Sequence, residues 1–172
     1  ELSFNMALGK ETLMILPENE PPILASVNIG VEVDNIFDPG VTAYKDSVLG
    51  IASIDATDDS TPVGNLIKIY QWLKNGVEIP GATGATLAGE NFNKDDTISL
   101  ELKVEDVGGL QSNSVVSNDL LIEDSPPSAP EITIAARGTP PGTPLTGEHD
   151  LFCQIITESI DPDEGDVVTY NY

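Results

Sequence analysis

The chain has one cysteine, Cys153, and one histidine, His149. It therefore has no internal disulfide, no cysteine-based zinc site and no histidine-rich metal centre. Basic residues are scarce as well: 7 Lys and Arg stand against 29 Asp and Glu, a formal charge of -22. Nucleic-acid backbones and anionic membrane surfaces need the opposite balance, which argues against both as partners. No apolar run approaches the roughly 20 residues of a membrane-spanning helix. Aromatics are few, with 1 Trp, 4 Tyr and 4 Phe, too few for a broad sugar-stacking platform. Met is absent from the first position, and an opening Glu1 reads as a processed or excised piece.

The hydrophobic fraction of 40 % sets the chain apart from a disordered acidic tail. Its apolar residues recur in a repeating order. "SVLGIASIDATDDSTPVGNLIKIY", from Ser47, aligns without a gap on "HDLFCQIITESIDPDEGDVVTYNY", from His149. Leu49 falls on Leu151, Ile51 on Cys153, Ile54 on Ile156 and Asp59 on Asp161, an offset of 102 residues. Upstream, "ENEPPILASVNI" from Glu18 matches "EDSPPSAPEITI" from Glu123, an offset of 105 residues. Each has two acids, a Pro-Pro pair and then an alternating run. Pro-Pro stiffens such a joint and blocks a helix across it. "ELSFNMAL" and "TISLELKV" alternate in the same way, with Leu2, Phe4, Met6 and Leu8 facing one side in the first.

Period-2 alternation broken by Gly, Pro, Asn and Asp predicts strands throughout, with no amphipathic helix. The expected strands are A at 24–33, B at 47–55, C at 65–74, a middle strand near 84–89, F at 97–105 and G at 113–122. The A–B connection over 34–46 has room for a further short strand. About seven short strands predict an all-β fold, an antiparallel β-sandwich. Three segments are expected: 1–19, a terminal F–G hairpin of a preceding repeat; 20–124, one complete repeat; and 125–172, strands A–C of a following one.

"IYQWLKNGVEIPGATGATL" resembles strand C and the next turn of bacterial immunoglobulin-like repeats. "SIDPDEGDVVTYNY" is similar to the B–C segment of PKD-like and cadherin-like repeats, and "LKVEDVGGLQSNSV" to their F–G hairpin. The Gly-Asp-Gly that PKD repeats carry after the Trp is absent. The resemblance implies immunoglobulin-like sandwiches in tandem, in extracellular or cell-surface proteins, acting as spacers and binding modules. It makes Trp72 the core residue of strand C, with Ile51, Leu100 and Leu102 beside it. It places Cys153 where such domains carry a strand-B cysteine, so Cys153 is either a buried free thiol or half of a disulfide to a strand outside the chain.

In such a sandwich the B–C and F–G loops meet the preceding repeat, and the A–B and E–F loops meet the following one. That gathers Asp95 and Asp96 of the E–F loop, Glu123 and Asp124 of the linker, and Asp161, Asp163 and Asp166 of the next B–C loop at one joint. Acids this dense repel unless a cation lies among them, and calcium takes six to eight oxygens in flexible geometry. Cadherin-like repeats stiffen their joints in this way, so the resemblance also points to calcium. Acids are equally ordinary in solvated turns, and that reading stands beside the first. The upstream joint carries a weaker set, Glu18, Glu20, Asp55, Asp58, Asp59, Glu105 and Asp106.

No nucleophile elbow, phosphate loop or shaped carboxylate pair points to catalysis, so the chain is not expected to be an enzyme. The leading expectation is a structural segment of an extracellular rod or filament, stiffened by calcium. Its partners would be neighbouring repeats or identical subunits head to tail. In the second case Leu2, Phe4, Met6 and Leu8 of one copy would complete Leu151, Cys153 and Ile155 of the next by strand complementation. The alternative is an adhesive module that binds a glycan or protein, with Phe37, Tyr44 and Phe92 as candidate exposed contacts.

Overall fold

A computed structural model describes residues 18–136 and 151–171. The expectations for the first strands, including Leu2, Phe4, Met6 and Leu8, lie outside the described residues. The alternating run that follows Pro22 forms β1 (Ile23–Val33). Its buried side chains are Leu24, Val27, Ile29 and Val31, which is not a strict period of two. A register shift between Leu24 and Ser26 puts an extra residue into β1 and resets which face is apolar. Asp34 and Asn35 both take left-handed backbone, with φ of 53 and 64. Short polar side chains tolerate that conformation, and it closes a tight hairpin onto β2 (Ile36–Asp38).

β3 (Val48–Thr57) pairs antiparallel with β1, and β6 (Thr86–Ala88) pairs with β3, which gives one sheet in the order β2-β1-β3-β6. The second sheet is built from β4 (Ile67–Lys74), β5 (Val77–Glu78), β7 (Thr97–Glu105) and β8 (Val115–Val116), with β9 (Leu120–Leu121) also on β7. Ile98, Leu100, Leu102 and Val104 alternate along β7 and are fully buried against the first sheet. Trp72 stands opposite Leu100 on β4, also fully buried. Its indole N–H donates to the Gly84 carbonyl at 3.0 Å, and its backbone N–H donates to Ala82. The "GATG" stretch is therefore a cradle for the tryptophan. The all-β antiparallel sandwich expected from the sequence is present.

The differences are local. The expected strand G is split into β8 and β9. Ser112 and Ser117 hydroxyls accept the Val104 and Leu100 N–H groups that a continuous ladder would use. β5, a short return strand after the Asn75–Gly76 turn, was not expected. Phe92 is 1 % exposed and belongs to the core, contrary to its expected role as an exposed contact. The 3-10 turn Gly89–Asn91 packs so closely on the A–B connection that a Cβ on Gly89 would collide with the Lys45 carbonyl. Lys45 also bonds the Phe92 carbonyl through its ammonium, and this closed corner turns the ring inward.

Beyond the linker, β10 (Glu131–Ala136) and β11 (Leu151–Thr157) form a separate antiparallel pair, and residues 158–171 form no strand. Ile134 stands opposite Cys153 as Ile29 stands opposite Ile51, and Glu131 opposite Thr157 as Ser26 opposite Asp55. Those four pairings obey the two sequence offsets. Cys153 is exposed, which corrects the expectation of a buried thiol. Ile132, Ile134 and Leu151 on the same side of this pair are exposed too.

Candidate metal centre

The linker leaves the sandwich along the A–B connection. Ala43 bridges Ile122, the Glu123 N–H donates to the Ala43 carbonyl at 2.8 Å, and the Lys45 N–H donates to Ser125 Oγ. The E–F turn is fixed beside it. The Asp95 N–H donates to the Ile122 carbonyl and the Ile122 N–H to the Asp96 carbonyl, each at 2.9 Å. Asp95 takes a left-handed φ of 69 within this turn, and Lys94 projects from it toward the linker acids.

The far wall is the loop after β11. Asp161 accepts the Asp163 N–H at 2.9 Å, a local Asx turn that brings Asp163 back under the linker. Asp163 Oδ2 accepts the Ser125 N–H at 2.6 Å, and the Ser128 N–H donates to the Ile160 carbonyl at 2.9 Å. Asp163 is 5 % exposed, and its Oδ1 is buried without a hydrogen-bond partner. A buried carboxylate oxygen with no donor is costly; Asp58 Oδ1 is in the same position, and Asp163 differs from it in the two further acids beside it.

Asp124, Asp163 and Asp166 each bring a carboxylate oxygen within 4.8 Å of the other two, the only such group among the described residues. Lys94 Nζ lies 2.6 Å from Asp166 and 3.2 Å from Asp124. That hydrogen bond holds the Asp166 carboxyl below the usual carboxylate range, and its counterpart raises the Lys94 ammonium above the usual lysine range. Three carboxylates against one ammonium leave a net negative pocket. Their oxygens are hard ligands at mixed depth, which fits a hard divalent cation such as calcium better than a softer metal.

The sequence-predicted residues divide. Asp124, Asp163 and Asp166 come together, and Asp161 lines the same cleft with Lys94. Asp95 lines an adjoining cleft with Asp163 and Glu164. Glu123 is exposed, with its N–H engaged by Ala43. Asp96 is used within its own corner: it accepts the Asn93 N–H and the Asn75 amide, both at 2.8 Å, and pairs with Lys74 at 3.5 Å. Burial pushes the Asp96 carboxyl up, but those donors outweigh it and hold it low. Lys94 was missed by sequence reasoning. Its signal was visible as a lone basic residue in the acidic "NKDD" turn.

The upstream joint has neutral groups at the corresponding places beside acids of its own: Asp106 is buried, and Asp58 Oδ1 is buried without a hydrogen-bond partner. The two offsets set Asn19 against Asp124, Thr61 against Asp163 and Gly64 against Asp166. Asn19 donates to Asp106 at 2.8 Å, and Thr61, also buried, accepts the Val107 N–H. Among the described residues no helix is long and apolar enough to cross a membrane. No family model, curated protein or solved structure matches the chain.

Proposed function

We propose that the chain is a structural segment of an extracellular or cell-surface rod or filament made of tandem immunoglobulin-like repeats, with a joint stiffened by calcium. The observation that carries this reading is Asp163. A carboxylate from beyond the linker is buried against the linker backbone, keeps one oxygen without a donor and lies beside two further acids. The matched pairings of β1–β3 and β10–β11 support repetition. The exposed apolar side of β10–β11 supports completion by further strands, from an adjoining repeat or from a second copy head to tail.

An adhesive role has less support, because Phe92 is core and the Phe37 ring packs over Gly50. Thermal unfolding in calcium chloride and in sodium chloride at matched ionic strength tests the cation, since sodium only screens. Calcium is expected to raise the melting temperature beyond sodium. Asp161→Ala combined with Asp163→Ala is expected to abolish the difference. Equal effects of the two salts would reduce the acids to a solubility surface.

A further inference from the structure

We infer that Lys94 is a tethered counter-ion that competes with a divalent cation for the Asp124–Asp163–Asp166 pocket. This inference rests on the calcium reading above and adds what sets the affinity. The Lys94 ammonium already sits on two of the three carboxylates, at 2.6 Å from Asp166 and 3.2 Å from Asp124. A metal bonded to the same carboxylates would stand close to that ammonium, and like charges so near repel. The lysine must then yield. Its side chain is 30 % exposed and unbranched, so it can swing into solvent while the turn that carries it stays pinned.

The third carboxylate explains why the lysine does not complete the site. Asp163 Oδ1 has no donor even with Lys94 in place. The ammonium therefore neutralises the outer two acids and leaves the innermost one unpaired. Two closed states follow. In one, Lys94 ties the E–F turn to the linker and to the loop after β11. In the other, a divalent cation does so and also reaches Asp163. The joint is held at low cation concentration, and binding is weakened by the work of displacing the lysine. At the upstream joint Asn19, Thr61 and Gly64 are neutral where the downstream joint has these three acids.

Calorimetric titration of calcium chloride into the wild-type chain, Lys94→Met and Lys94→Arg tests this, together with melting in a chelator. Met keeps the stem and removes the charge. Lys94→Met is expected to bind calcium at least about tenfold more tightly than wild type, and to melt lower in chelator. Lys94→Arg is expected to stay near wild type in both. Unchanged or weaker calcium binding by Lys94→Met, with wild type binding, overturns the competition and leaves the calcium reading intact. Calcium binding by Lys94→Met alone supports the competition and removes calcium from the wild-type function. Binding by none of the three overturns both.

Discussion

Single residues carry the joint, and their neighbours set their chemistry. Asp96 and Asp163 come from the same kind of acidic turn, yet one is saturated with donors and the other keeps a bare oxygen. The difference lies in what the backbone offers. The "NKDD" turn points the Asn93 N–H and the Asn75 amide at Asp96, so its charge is stabilised locally. Its carboxyl is held below the unfolded value of about 3.9, so its contribution is complete above that pH and disappears as pH falls through the folded value. Acid titration of the melting temperature is expected to fall more steeply below about pH 4 for wild type than for Asp96→Asn. Limbs of equal steepness would show that Asp96 is not linked to folding.

At the scale of elements, the C-terminal strand region replaces ladder bonds with side chains. Ser112-Asn113 and Ser117-Asn118 repeat one device. Each serine hydroxyl accepts from β7, and each asparagine amide both accepts from and donates to the backbone of β1. The two sheets are thereby stitched at Leu24 and Ile29, both in the core. Asn118→Ala would leave the Ile29 N–H without its acceptor and is expected to cost about 1–3 kcal/mol by chemical denaturation. Asn91→Ala, which removes only a solvent-exposed bond to the Ala88 carbonyl, is expected to cost far less. Equal losses would contradict the stitching role.

The same device marks how far the sequence could be read. Clean alternation exposed β7, because Ile98, Leu100, Leu102 and Val104 face one partner sheet. β1 was located but its inward face was not, because a bulge moves the phase without any Gly or Pro to announce it. Strand G was placed as one run because serine and asparagine side chains can impersonate a ladder that their composition does not reveal. Phe92 was misplaced because its burial comes from a corner between two loops, and loop packing has no period.

For the whole molecule, the candidate site was legible as a joint and not as a geometry. Loop placement in a sandwich brought the E–F turn, the linker and the loop after β11 to one place, and the structure gathers Asp124, Asp163 and Asp166 there. Which acids face inward depended on an Asx turn at Asp161 and on Lys94, neither of which follows from charge density. A stiffened joint must hold its angle. The most direct measurement is a distance distribution by pulsed electron spin resonance between one spin label on β4 and another on β11, with calcium and with chelator. A single narrow distance is expected with calcium, and a broader one for Asp163→Ala with calcium. A wild-type distribution as broad as that of Asp163→Ala, with calcium present, would contradict a stiff joint.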